Sequence, residues 1–219
     1  MLSDSVHPSR SERYRAGSPW ADAVDHPFVH ALTRGTLAPE RFGRYLIQDY
    51  AYVADLVDAL GYLIAKAPSA DAKRRFGSFL LAVLDGEDHF FRETFALLGI
   101  PETVWRQPPL APVTVGIGQT LRAAAGQGSY AEGLAAFLAG EWVYREWATP
   151  VKEHPPAYGP YRAWIRLHSD ADFSAFVDWL RAELDGLVLS PTEEARAQAA
   201  FVRMVRWESL FWNVADEAW

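Results

Sequence analysis

Pro39-Glu40-Arg41-Phe42-Gly43-Arg44-Tyr45-Leu46-Ile47-Gln48-Asp49-Tyr50-Ala51-Tyr52-Val53-Ala54-Asp55-Leu56-Val57 opens a run that decides the fold class. Phe42, Tyr45, Leu46, Tyr50, Val53, Leu56, Val57 and Leu60 recur at spacings of three and four as far as Ala67, which is one broad apolar helix face. Pro and an acid in the first turn mark its start. Downstream the same period returns. A helix is predicted over 70–98, stopped by Gly99 and Pro101, and others near 113–125 and from Tyr130 to about Val151. Two more bracket His168-Ser169-Asp170. A last one restarts at Ser190-Pro191-Thr192-Glu193, with Ser190 as N-cap and Glu193 at N3. No alternating strand pattern exceeds a few residues. The fold class is an all-α bundle of eight to ten helices in a single domain.

Composition narrows the chemistry. The chain has 219 residues and a formal charge of −7, against the basic stripe that nucleic acid or an anionic membrane demands. Nine Trp, nine Tyr and twelve Phe can furnish a large core. With no cysteine there can be no disulfide, no thiolate metal site and no thiol nucleophile. Residues 1–20 carry charges without an apolar run, so no secretory signal is read there, and no apolar window is long enough to span a membrane. The expected location is the cytoplasm.

Acids on apolar helix faces are the places to look for a site. Asp49 stacks with Tyr45, Tyr52, Val53 and Leu56, against the plainer reading of a boundary residue with one hydrogen bond. Glu141 lies among Phe137, Leu138, Trp142 and Tyr144, although Arg145 four residues on offers an ordinary surface pair. Glu208 sits among Met204, Val205, Phe211 and Trp212, where desolvation would raise its pKa toward acid–base use. His168 reads most simply as a helix C-terminal charge partner. Glu87-Asp88-His89 reads as a solvated face, with Glu87 and Phe91 able to turn inward together.

These residues fall into a pattern that resembles the TenA (thiaminase II) family. His26-Pro27-Phe28-Val29, Gly35-Thr36-Leu37, Phe42, Tyr45-Leu46, Gln48-Asp49 and Tyr52 are similar to its N-terminal signature. The segments Ala131-Glu132-Gly133-Leu134-Ala135-Ala136, Trp142-Val143-Tyr144, Tyr161-Arg162-Ala163-Trp164-Ile165 and Trp207-Glu208-Ser209-Leu210-Phe211-Trp212 are similar to its later markers. The likeness runs from about Ala16 onward, so residues 1–15 are taken as a lead segment and 16–219 as the helical domain.

The resemblance implies a haem-oxygenase-like fold, a homo-oligomer (dimer or tetramer), and a hydrolase of aminopyrimidine breakdown products of thiamine. It implies no cofactor, no metal, and no nucleic-acid or membrane partner. Carried over, Asp49 would hydrogen-bond the exocyclic amine and a ring nitrogen of the pyrimidine. Tyr52, Tyr144 and Phe211 would line and stack on the ring, with Tyr45 and His168 as further substrate contacts. Glu208 would be the acid–base carboxylate. Gly140 stands where one class of the family has its cysteine, and the adjacent Glu141 resembles the catalytic helper of the cysteine-lacking class. Tyrosines usual around residues 112–117 are replaced by Thr114, Val115 and Ile117, and His168 replaces another tyrosine. Two alternatives stand beside this reading. One is a haem-oxygenase-like metal-dependent oxidase using Glu87, Glu141, His168 and Asp172, short of ligands because Phe91, Thr94 and Phe176 occupy neighbouring positions. The other is a non-catalytic pyrimidine-binding protein.

Overall fold

The computed structural model describes residues 8–217 and Trp219. Within them the chain folds as α1 (Arg10–Ala16), α2 (Trp20–Val24), α3 (Pro27–Thr33), α4 (Pro39–Lys66), α5 (Ala70–Ala82), a π-turn (Val83–Glu87) and α6 (Asp88–Leu97). There follow α7 (Glu102–Trp105), α8 (Pro112–Gly126), α9 (Tyr130–Ala148), α10 (Gly159–Leu167), α11 (Ala171–Gly186) and α12 (Pro191–Phe211). No strand is present among the described residues. Twelve helices exceed the expected eight to ten for two reasons. The helices α1, α2, α3 and α7 are only four to seven residues long, too short to show a period. The helix expected over 70–98 is also interrupted by the π-turn. The final turn expected on α9 is instead a 3₁₀ turn, Thr149–Val151.

Helix boundaries follow the local chemistry. Capping boxes form at Ser129/Glu132 on α9 and Ser190/Glu193 on α12, each satisfying two otherwise unpaired amides. Asp170 caps α11 by accepting from the Phe173 amide at 2.7 Å. Gly99 ends α6 with φ 67°, a left-handed conformation that a side chain would resist. His26 caps α3 through Nδ1.

The helix α9 is the axis of the molecule. Its residues 131, 133–140, 142 and 143 are all buried, because α8, α11 and α12 pack around it and α4 closes another side. Alanines and glycines on α9 let neighbouring backbones approach, while Trp142 and Trp147 fill the corners. Segment 1–15 is partly described. Its α1 docks Ser11 and Tyr14 against α11 and α12, and Arg15 lies over the rings of Trp20 and Trp142 at 5.3 and 5.4 Å. Residues 1–7, which include part of the stretch read as lacking a secretory signal, lie outside the described residues. No described helix is long and apolar enough to cross a membrane.

Candidate active site

One buried amide holds α4 in place beside the site before any acid is considered. Gln48, fully buried on α4, donates to the Pro109 carbonyl at 2.9 Å and accepts from the Ala111 amide at 2.9 Å and the Thr114 hydroxyl at 2.7 Å. The proline-rich loop and the start of α8 are thereby tied to α4, one residue from Asp49.

Asp49, Tyr52, Glu141, Tyr144 and Glu208, from α4, α9 and α12, line a single cavity of about 590 Å³. His168 lines it as well, at the end of α10. So do Val53, Leu56, Phe79, Val83, Phe173 and Phe176, which make its walls largely apolar. At one end the lining includes Arg74 and Arg75, whose side chains are exposed and paired to Asp71, so the chamber opens to solvent between α5 and α11. The helix α8, which carries Thr114, Val115 and Ile117 where the resemblance leads one to expect tyrosines, contributes no side chain to the chamber.

Two expected substrate contacts stand behind the wall instead of in it. Tyr45 is fully buried, and its hydroxyl shares a 2.6 Å hydrogen bond with that of Tyr144. Phe211 packs on Tyr45 and Tyr52 with centroids at 5.7 and 6.0 Å. Both fix the rings that do face the cavity. Glu141 does not make the surface pair that its spacing allowed; Arg145 turns away to Asp178. Nor does His168 act as a charged helix terminator. Its Nδ1 donates to the Trp164 carbonyl at 2.9 Å, and Tyr144, Trp164 and Phe173 pack around the ring. Burial pushes its pKa down to about 4, so the imidazole is neutral at physiological pH.

Glu87 is the residue that the sequence pattern undervalued. His89 of the same cluster is solvated, and Asp88 serves Tyr50 and Arg92, but Glu87 lines the chamber. The signal was present in the spacing: Phe76, Phe79, Val83 and Glu87 follow one another at three and four, an acid on an apolar face.

The electrostatics follow from four inner carboxyls set among largely apolar walls, with Arg74 and Arg75 out at the mouth. Burial raises Glu208 to about 8 and Glu87 to about 7. Asp49 and Glu141 are pushed well above the usual carboxylate range, first by burial and then by Glu87 and Glu208. Gly140 adds a close approach: a Cβ built there would lie 3.0 Å from Oε1 of Glu208. The missing side chain leaves room for that carboxyl. The donors weighed for a di-metal oxidase do not assemble a site, since among the described residues no three His, Asp or Glu side chains are grouped to hold a metal ion.

The family model described as TENA/THI-4/PQQC family matches residues 15–218. The chain belongs to this family. Two relatives named aminopyrimidine aminohydrolase, from Helicobacter pylori and Bacillus subtilis (strain 168), are each 28% identical over 211 residues. They align with 93% and 94% of this chain and 95% and 89% of their own. A solved TenA homologue from Pyrococcus furiosus superposes with a TM-score of 0.85 at 25% identity, covering 94% of this chain and 99% of that one. The TenA homologue from P. horikoshii gives the same score at 24% identity, over 95% and 98%. The fold is therefore the haem-oxygenase-like bundle of the TenA homologues, here in a cysteine-lacking member.

Proposed function

We propose that the chain is a cysteine-independent hydrolase of aminopyrimidines derived from thiamine, removing an amino or formylamino group. The observation that carries this reading is the convergence of Asp49, Glu141 and Glu208 with Tyr52 and Tyr144 on one chamber. The names of the relatives support it. A protonated carboxyl is the complement of an aminopyrimidine edge: its O–H donates to a ring nitrogen while its carbonyl oxygen accepts from the exocyclic amine. The raised pKa of Asp49 keeps that donor in place. Tyr52 and Tyr144 supply flat surface for the ring.

With no thiol, the nucleophile is water. One of Glu208 and Glu141, in its carboxylate form, takes a proton as the water oxygen bonds to carbon. The C–N bond breaks with its electron pair going to nitrogen, and the other, held protonated by burial, gives the departing amine a proton. The products are the hydroxyl compound and ammonia, or formamide where the departing group is formylamino. Following ammonia release from a 4-aminopyrimidine tests the reading, with chelator present and absent. Turnover that survives chelation supports it. Turnover lost on chelation would favour the oxidase, and tight binding without turnover the binding protein.

The same reading takes the chain as a cytoplasmic homo-oligomer, dimer or tetramer. Exposed Leu81, Leu84, Leu97 and Leu210 supply apolar surface for self-association, which sedimentation velocity checks.

A further inference from the structure

Behind the chamber wall, one hydroxyl joins two of the elements that build it. Tyr45 is fully buried, with Phe28 and Trp212 against its ring at centroid distances of 5.0 and 5.6 Å, so packing fixes where its hydroxyl lies. That hydroxyl meets the Tyr144 hydroxyl of α9 at 2.6 Å. One turn further along α4 is Asp49, which burial holds in its neutral form and which a hydrogen bond from Tyr45 draws the other way. Tyr45 therefore stands between the acid that reads the ring edge and a tyrosine that faces the ring. Neither proton transfer of the proposed reaction uses it.

The direction of these bonds follows from counting protons. A phenol has one proton to give and two lone pairs. A bond that favours the ionised carboxyl is one donated to it, so the Tyr45 proton is committed to Asp49. The 2.6 Å contact is then donated by Tyr144, and the bonds run from Tyr144 to Tyr45 to Asp49. When Asp49 is protonated, the oxygen that accepts from Tyr45 is kept as the carbonyl oxygen, and the acid proton sits on the other. Only one of these two arrangements matches a given aminopyrimidine edge, where one oxygen must accept and the other donate. We propose that Tyr45 is a positioning residue: its hydroxyl, held by Tyr144, fixes which oxygen of Asp49 carries the proton, and through Asp49 sets how tightly the chamber holds the amino edge of the ring. This rests on the aminopyrimidine reading of the chamber.

Binding of a 4-aminopyrimidine bearing a hydroxymethyl group is measured by calorimetry for wild type, Tyr45→Phe, Asp49→Ala and the double variant. Tyr45→Phe keeps the packed ring and removes only the hydroxyl, and it should weaken binding about fivefold. In the Asp49→Ala background the same change should cost less than about twofold, because the acid through which it acts is gone. Tyr144→Phe opens the chain of bonds from its other end and should weaken binding by a smaller factor. Combined with Tyr45→Phe, it should bind no more weakly than Tyr45→Phe alone. Ammonia release gives a second readout. In Tyr45→Phe, KM should rise with the dissociation constant while kcat stays within about threefold, since the proton transfers belong to Glu141 and Glu208. A general loosening of the wall would lower kcat as well.

An equal cost of Tyr45→Phe with and without Asp49, or no cost in wild type, would overturn the role of Tyr45 while leaving the aminopyrimidine reading intact. A fall in kcat with KM unchanged would do the same. A wild type that fails to bind the probe would overturn the aminopyrimidine reading and this role with it. If Tyr45→Phe does not melt cooperatively, Tyr144→Phe carries the comparison, since a cost that persisted undiminished in Asp49→Ala would also refute the chain of bonds.

Discussion

Glu208 is the side chain on which the proposed chemistry turns, and its environment states what its replacement should do. It is 2% exposed, and its pKa of about 8 comes from burial alone. Glu208→Gln keeps the volume and removes the transferable proton, so turnover should fall at least about 10²-fold in steady-state kinetics while substrate affinity changes little. Glu141→Gln should cost a comparable amount, because the reaction divides its two proton transfers between these acids. Asp49→Ala removes the group that reads the ring edge. Calorimetry should show binding weaker by roughly 1–3 kcal/mol, the usual cost of losing a buried hydrogen bond to a charged or strongly polar partner. The acids on the central helices were legible from sequence because each is an acid on an otherwise apolar face. The backing roles of Tyr45 and Phe211 were not legible, since spacing tells which way a side chain points but not how many layers separate it from a cavity. His168 was misjudged for a related reason: a helix end reads as solvent until the aromatic rings packed on it are seen.

At the scale of elements, the long helices and their caps could be read from residue type and period. Ser190-Pro191-Thr192-Glu193 is a complete start signal whatever surrounds it. The π-turn could not be read, because Val83-Leu84-Asp85-Gly86-Glu87 contains no helix breaker stronger than a single glycine and continues the apolar period. The difference is tertiary, with packing on both sides of the turn choosing the register. Gln48 shows how a single buried amide can organise two elements. Gln48→Ala would leave the Ala111 amide and Thr114 hydroxyl unpaired in the interior, so chemical denaturation should report a loss of roughly 1–3 kcal/mol per unpaired group. Binding at Asp49 should weaken with it, because the same residue sets the α4–α8 contact beside the chamber.

For the whole molecule the buried acids make stability depend on pH in an unusual sense. Glu208 and Glu87 have folded-state pKa values raised above the ordinary 4.5, so the folded state holds their protons more tightly than the unfolded chain does. Stability is fully expressed below about 4.5 for these two groups and declines as pH rises through about 7 and 8. His168 acts oppositely: its lowered pKa withdraws stability as pH falls from 6.5 toward 4. The ligand-free protein should therefore melt highest in mildly acidic buffer. Glu208→Gln should melt above wild type at pH 8 and lose that advantage by pH 5, with the gap on the order of a few kcal/mol at most. Equal melting profiles for the two proteins across that range would show that Glu208 ionises in the folded state as freely as in the unfolded one.

Among the described residues the chamber's cations, Arg74 and Arg75, stay at its mouth with Asp71, which makes the inner site a proton exchanger. When a positively charged ring or amine enters, the inner carboxyls shift toward their ionised forms to provide the counter-charge, and the protons they release leave for bulk solvent. The enthalpy recorded for binding then contains the protonation heat of the buffer. Titrations of a cationic probe at pH 7 in phosphate and in Tris, whose protonation heats differ widely, should give different apparent enthalpies but the same affinity. The slope against buffer heat counts the protons expelled, and because Glu87, at about 7, is already partly ionised at that pH, a single cation should give a slope between zero and one.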